Sequence, residues 1–147
     1  IPNPVLEIKI KKGLLGIKER YPLKSFILDN NFTQNYLQNI FDESELLEDI
    51  RNILKSLKIS LVNSYKRTYF KSADYKFRVT LDFELEYYKA NVIFNTFLRR
   101  VSDINTVVLE LKYHQEDDDY AEYITNSFPF RMTKSSKYVT GIEKFNH

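Results

Sequence analysis

The chain has 147 residues, and 22 Lys and Arg against 20 Asp and Glu give it a formal net charge of +2. This charge is too small to indicate nucleic-acid or membrane binding through the net field of the molecule. The absence of Cys excludes disulfides, thiolate metal sites and a Cys nucleophile. A composition of 43% apolar and 29% charged residues is typical of a folded protein, and we predict a single domain over residues 1–147.

The first half of the chain is predicted to form a β-hairpin followed by two helices. Charged and branched apolar residues alternate in VLEIKIKK, Lys12-Gly13 provides a turn, and Pro22 ends the second strand. Asp42 stands where a cap would begin the second helix. The predicted elements are strands Val5–Lys12 and Gly16–Tyr21, then helices Phe32–Phe41 and Glu43–Leu57.

The second half is predicted to contain three more strands and two helices. Turn residues at 71–74 separate the first two strands, and acidic residues at 116–119 favour a helix start through the helix dipole. The segment Tyr87–Val101 fits either an irregular strand pair or a loop carrying Arg99 and Arg100. The predicted elements are strands Ser60–Phe70, Lys76–Glu86 and Thr106–Tyr113, then helices Asp119–Phe128 and Ser136–Phe145.

Every predicted strand has one face that carries cations. A period of two places the charged residues of each strand on one side and its apolar residues on the other. The aligned polar sets are Glu7, Lys9 and Lys11; Lys18 and Arg20; Tyr65, Arg67 and Tyr69; Arg78, Thr80, Asp82 and Glu84; and Glu110 and Lys112.

These charged faces have two interpretations. They are the solvent faces of an antiparallel sheet that packs its apolar faces on helices, which is the usual arrangement. Alternatively, the sheet is a barrel turned inside out, with charge lining a channel that holds water or a polyanion, because a dry channel would be too costly. The Arg residues favour phosphate, and carboxylates beside them suit a divalent metal next to bound phosphates.

Six motifs carry a family resemblance along nearly the whole chain. LEIK, KER, YKR, FRVTLD, VLELKY and SSKY, in this order, resemble the VTC domain of the vacuolar transporter chaperone and of bacterial polyphosphate polymerase-like proteins. That family belongs to the CYTH-like triphosphate tunnel metalloenzymes. The resemblance implies an α+β fold, with an antiparallel β-barrel forming a triphosphate tunnel and helices packed outside.

The resemblance also implies roles for individual residues. Glu110 would hold Mn²⁺ or Mg²⁺ and act in catalysis through that metal together with Arg67 and Arg78, while Asp82 would orient neighbouring Arg residues. The implied phosphate ligands are Lys9, Lys18, Arg20, Arg67, Arg78, Lys112, Ser136 and Lys137.

One feature of the family is missing from the sequence. Family members begin with a helix and strands that carry an R-x-R pair, and no such pair precedes Lys9. Because residue 1 is Ile and a strand is predicted from Val5, we expect the domain to be incomplete at its N-terminus, or the tunnel to be open on one side.

Other candidate sites are weaker. Tyr65 and Tyr69 beside Arg67 would permit stacking on single-stranded nucleic acid, although we expect no nucleic-acid partner. Ser135 and Ser136 lack a nearby His motif for a nucleophile, and His114 is expected to be a surface residue.

The sequence therefore predicts a domain that binds triphosphate, a nucleoside triphosphate or polyphosphate. As an enzyme it would transfer or hydrolyse a phosphoryl group, making polyphosphate or cleaving triphosphate; the alternative is a non-catalytic polyanion-binding module. We expect a cytoplasmic location, which a membrane-protein partner would place at the inner face of a membrane.

Overall fold

The computed structural model describes residues 1–12, 15–91, 93–95, 97, 100–131, 133 and 135–146. Gly13 of the predicted first turn and Arg99 of the predicted loop lie outside these residues. In chain order the elements are β1 (Val5–Lys12), β2 (Leu15–Pro22), α1 (Gln34–Asp42), α2 (Glu48–Ser56), β3 (Leu61–Lys71), β4 (Arg78–Lys89), β5 (Arg100–Asp103), β6 (Val108–Lys112), a 3₁₀ turn (Gln115–Asp117), α3 (Asp118–Asn126) and α4 (Lys137–Glu143).

The fold is α+β with antiparallel sheets, as predicted. The described strands form a two-stranded sheet of β1 and β2 and a four-stranded sheet in which β4 pairs with β3, β5 and β6. Among these strands a closed barrel is not found. The chain divides into two compact units, Ile1–Ser60 with Ala90–Leu98 and Leu61–Lys89 with Arg99–His147.

The first unit packs the apolar face of the hairpin on two helices. Its core contains four buried residues, with Leu6 and Ile8 of β1 packed against them. The buried residues are Phe41, Leu46, Ile50 and Leu54. Since neighbours along a strand alternate between faces, Glu7 and Lys9 project from the opposite side of the hairpin.

The predicted start of the second helix was wrong by five residues. Asp42 is the last residue of α1, and α2 begins after Leu47. Between the helices the Ser44 hydroxyl donates to the carbonyl oxygen of Ile40 at 2.6 Å and accepts from the backbone N–H of Lys24 at 2.9 Å. These bonds hold a turn, which brings Leu46 into the core although the apolar spacing reads as one continuous helix.

The second unit packs α4 on one face of the four-stranded sheet. Leu85, Tyr87 and Phe145 form its core, with Leu61 packed against them. A Cβ on Gly141 would come within 2.5 Å of Leu61 Cδ2 and 2.6 Å of Tyr87 Cδ1. Because Gly has no Cβ, the helix approaches the sheet more closely here than it could with any other residue type at this position.

A β-bulge in β4 changes which residues share a face. Ser64 pairs with Glu86 and Lys66 with Phe83, so two steps along β3 match three steps along β4. The extra residue lies at Glu84, whose φ of 51° is uncommon for a side chain other than Gly. The predicted alignment of Glu84 with Asp82 is thus wrong, and Leu85 joins the face of Asp82.

The segment Tyr87–Val101 divides between the two predicted alternatives. Its first three residues continue β4, and Arg100 and Val101 begin β5. No helix in the described ranges is long and apolar enough to cross a membrane.

Candidate functional site

The strand register places the predicted ligands that lie on strands of the second unit on one face of its sheet. Arg67 pairs with Asp82, Thr80 with Glu110, and Arg78 with Lys112. Residues directly opposite each other in an antiparallel pair share a face. We call this the charged sheet face, and it comprises Arg67, Tyr69, Lys71, Arg78, Thr80, Asp82, Glu110 and Lys112.

The charged sheet face is the more deeply buried side of β4. Asp82 has no exposed surface and Thr80 is 1% exposed, whereas Val79, Leu81 and Phe83 of the apolar face are only half-buried. A sheet with a solvated charged face shows the reverse. At Thr80 and Asp82 the charged face is therefore covered, whereas Arg78 at the start of the strand is exposed.

Asp82 is the centre of a buried ion-pair network. Arg67 binds it with two parallel bonds, Nε to Oδ1 at 2.5 Å and Nη2 to Oδ2 at 2.6 Å, and Lys137 Nζ lies 2.5 Å from Oδ2. Burial raises the pKa of Asp82, but its bonds to Arg67 and Lys137 outweigh this and hold that pKa below its usual range. The same pairing raises the pKa of Arg67, so Asp82 and Arg67 both stay ionised at neutral pH.

Two tyrosine rings flank the cations of this network. The guanidinium carbon of Arg67 lies 5.0 Å from the ring centre of Tyr65 and 5.8 Å from that of Tyr69. Lys137 Nζ lies 4.9 Å from the ring centre of Tyr65. Cation–π contacts of this kind fix the positions of charged groups that would otherwise sample several rotamers.

A second group of cations lies further along the same face. Lys71, Arg78 and Lys112 form one row across β3, β4 and β6, two positions along each strand from the row of Tyr69, Thr80 and Glu110. Since a strand rises about 3.3 Å per residue, this cationic row lies roughly 13 Å from the row of Arg67 and Asp82. The face thus offers positive charge at two places, as an elongated anion requires.

The predicted metal ligand Glu110 lies between these cationic rows. Its Oε1 is 3.2 Å from Lys112 Nζ, and both side chains are partly exposed. Within the described part of the chain, no three His, Cys, Asp or Glu residues lie close enough to hold a metal ion together. One carboxylate fits Mg²⁺ or Mn²⁺ only where phosphate oxygens and water complete the coordination, a common arrangement for Mg²⁺.

The first unit carries a charged face of its own. Glu7 accepts ion pairs from Lys9 at 3.3 Å, Lys18 at 3.4 Å and Arg20 at 3.2 Å. Lys9 pairs with Lys18 across the hairpin and Glu7 with Arg20. Partial burial raises the pKa of Glu7, but bonds from the three cations outweigh this effect and lower that pKa. We call these four residues the hairpin face.

Ser136 and Lys137 of the SSKY motif differ in whether they reach the charged sheet face. Lys137 is the first residue of α4 and reaches the charged sheet face through Asp82. Ser136 is the N-cap of that helix, and its side chain accepts from the backbone N–H of Val139 at 3.4 Å. Ser136 is exposed, so its predicted phosphate contact stays a prediction.

Sequence reasoning missed two members of the charged sheet face and one of the hairpin face. Lys71 was assigned to a turn, although extending the alternation of β3 by one residue places it beside Arg78. Thr80 was aligned with Arg78 but given no role. Glu7 was aligned with Lys9, and its contacts with three cations depend on a strand pairing that the alternation alone does not give.

A family comparison matches almost the whole chain. A sequence model of the VTC domain matches residues 3–146 and so spans both units. The chain belongs to the VTC domain family. Membership indicates a polyphosphate-related function for this VTC domain. Comparisons with curated proteins and with solved structures give no match.

Proposed function

We propose that this VTC domain binds a triphosphate or polyphosphate chain on its charged sheet face and transfers phosphoryl groups with a divalent metal. The observation that carries the proposal is the burial of Asp82 between Arg67 and Lys137 on a face that also carries Arg78 and Lys112. Holding several cations on a partly buried face is unfavourable unless an anion compensates them. The charged sheet face has more cations than its two carboxylates can neutralise, so positive charge remains for this anion.

The charged residues of this site have separate roles in the proposed reaction. Arg67 and Lys137, oriented by Asp82, would bind phosphate oxygens at one end, and Arg78 and Lys112 would bind them at the other. Charge that develops on the transferring phosphoryl group is stabilised by such preorganised cations. Glu110 would hold Mn²⁺ or Mg²⁺, which when bound polarises phosphate oxygens as a Lewis acid.

Closure of the strands into a tunnel, with Lys9, Lys18 and Arg20 of the hairpin face as further phosphate ligands, is part of this proposal. The support is that each of these side chains is largely exposed and that all three share one carboxylate partner. Exposed cations of this kind can exchange a protein carboxylate for a phosphate at small cost. A cytoplasmic location is likewise part of this proposal, and its support is that a soluble nucleotide would be the phosphoryl donor. A membrane-protein partner is proposed with it.

Substitution of Arg78 tests the ligand assignment. Arg78→Gln should weaken tripolyphosphate binding about tenfold or more, because a charge-assisted hydrogen bond is lost, as measured by isothermal titration calorimetry. Its thermal stability should stay near that of the wild type, since Arg78 is exposed and lies between Lys71 and Lys112. Lys66→Gln is the matched control, because Lys66 pairs with Glu84 rather than with a residue of the charged sheet face. Equal affinities of the Arg78 variant and wild type would reject the proposed ligand.

A non-catalytic polyphosphate-binding module is the second candidate function. The ion pair of Glu110 with Lys112, in the absence of a described carboxylate cluster, favours it. Incubation of the domain with ATP and Mn²⁺, followed by measurement of phosphate release and chain growth, separates the two. Turnover that Glu110→Gln abolishes supports the enzyme, whereas tight binding without turnover in the wild type supports the module.

A further inference from the structure

The hydroxyl of Thr80 lacks a hydrogen-bond partner. Thr80 is 1% exposed, and within the described part of the chain nothing donates to or accepts from its Oγ1 atom. Buried polar side chains are nearly always paired, because an unpaired one loses its bonds to water without replacement. A Val of the same shape would fill this place without that cost, so the hydroxyl calls for an explanation.

The position of Thr80 in the sheet limits what its hydroxyl can reach. Thr80 lies on the central strand β4, opposite Tyr69 of β3 and Glu110 of β6. Side chains that face each other across an antiparallel pair have Cβ atoms about 4.5–5.5 Å apart. A Glu side chain is long enough to span that separation, so a different rotamer of Glu110 would bring its carboxylate to the Thr80 hydroxyl.

In the free chain Glu110 points to another partner. Its Oε1 lies 3.2 Å from Nζ of Lys112, two residues along the same strand. Both side chains are more than a third exposed, and an ion pair this exposed contributes about 0–1 kcal/mol. An incoming phosphate can therefore take Lys112 from Glu110 at little cost.

We propose that Thr80 is the positioning residue for Glu110. When phosphate oxygens bind Lys112, the released carboxylate turns to hold the divalent metal and accepts a hydrogen bond from the Thr80 hydroxyl. Such a bond from a residue behind the metal ligand fixes the orientation of that ligand. The unpaired hydroxyl of the free chain thus becomes paired only in the metal-bound state, which favours that state. This inference rests on the proposed function.

Three variants test the role of the hydroxyl. Thr80→Val removes it and keeps the shape, Thr80→Ser keeps it, and Thr68→Val is the control, because Thr68 is exposed and pairs with Leu81 of the opposite face. Without ligand, Thr80→Val should raise the melting temperature by about 2–4 °C, since an unpaired buried hydroxyl is gone. Failure of this variant to fold would contradict an unpaired hydroxyl and overturn the proposal.

Binding measurements separate positioning from packing. With Mn²⁺, Thr80→Val should weaken tripolyphosphate binding about 10- to 100-fold, while Thr80→Ser stays within about threefold of the wild type. With EDTA in place of the metal, all three variants should bind as the wild type does. The free Mn²⁺ signal in electron paramagnetic resonance should show less metal retained by the triphosphate complex of Thr80→Val.

A double-mutant cycle completes the test. In a Glu110→Gln background, Thr80→Val should cause no further loss of Mn²⁺-dependent affinity, because the two residues act as one unit. Equal losses with Mn²⁺ and EDTA, additive losses in the cycle, or wild-type affinity of Thr80→Val would each overturn the inference while leaving the proposed function intact. If wild-type protein bound no tripolyphosphate with or without metal, both proposals would fall.

Discussion

The two charged faces of the molecule are built from the same parts but differ in burial. Each surrounds one carboxylate with cations, Glu7 on the hairpin face and Asp82 on the charged sheet face. The side chain of Glu7 is 28% exposed and its partners are 45% to 69% exposed. Asp82 is fully buried, and its partners Arg67 and Lys137 are only 23% and 18% exposed.

This difference in burial changes what the ion pairs contribute. In the exposed cluster, water and salt screen each pair, so the cations are held weakly and can readily change partners. In the buried cluster the charges are poorly solvated, and their mutual attraction offsets the cost of burying them. We infer that the cluster around Asp82 supplies rigid, oriented cations, whereas the hairpin face supplies adaptable ones.

Removal of the central carboxylate should destabilise the two clusters to very different extents. Asp82→Ala should lower the free energy of unfolding by about 3–5 kcal/mol, because it leaves Arg67 and Lys137 without their partner in a buried site. Glu7→Ala should lower it by about 0–1 kcal/mol. Urea unfolding followed by circular dichroism measures both. Similar losses for the two variants would show that burial does not distinguish the clusters.

A conservative variant controls for shape in this experiment. Asp82→Asn keeps the volume of the side chain and one of its acceptor oxygens, so it should retain part of the lost stability. If Asp82→Asn matched the wild type, the charge of Asp82 would contribute nothing, and the packing of α4 on Leu61 and Tyr87 would hold the helix alone.

The alternation of the sequence was sufficient to align the predicted ligands within each strand. A period of two aligned Arg78, Thr80 and Asp82 correctly, and the same period aligned Glu110 with Lys112. Local geometry decides these alignments, so no tertiary information is needed. The VTC family resemblance, which rests on six motifs in order, was confirmed over residues 3–146.

Burial and the bulge could not be predicted in the same way. Alternation shows that two faces differ but does not show which one is buried, so the zero exposure of Asp82 was not foreseen. The bulge at Glu84 uses a positive φ at a residue other than Gly, which leaves no sign in the sequence. The contact of Lys137 with Asp82 depends on how α4 packs, and residues 55 positions apart give no local signal.

Acid should remove the stabilisation that the buried cluster provides. The pKa of Asp82 is lower in the folded chain than its value of about 3.9 in an unfolded one, so the unfolded chain binds the proton first as pH falls. The stabilisation is therefore complete above about pH 5 and is lost below about pH 4, as pH approaches and passes the folded pKa. Asp103, which pairs with Lys144 at the other end of α4, shifts in the same direction.

Melting temperatures measured from pH 7 to 2.5 at constant ionic strength test this expectation. The wild type should be nearly constant down to about pH 5 and fall steeply below about pH 4, whereas Asp82→Asn should start lower and fall less. The two curves should therefore converge in acid. Parallel curves would mean that Asp82 has the same pKa in the folded and unfolded chain.

The smallest expected effect concerns the exposed cluster and has the opposite sign. Glu7→Gln removes the carboxylate that Lys9, Lys18 and Arg20 share, so an incoming polyphosphate no longer has to displace it. Tripolyphosphate affinity should rise about two- to fivefold at low ionic strength, and the gain should shrink at high salt. Glu19→Gln changes the net charge equally, but Glu19 accepts from the Tyr21 hydroxyl on the other side of the hairpin, so it should bind as the wild type does. Equal gains for both variants in calorimetry would reduce the effect to net charge, and weaker binding of Glu7→Gln would remove the hairpin face from the ligand site.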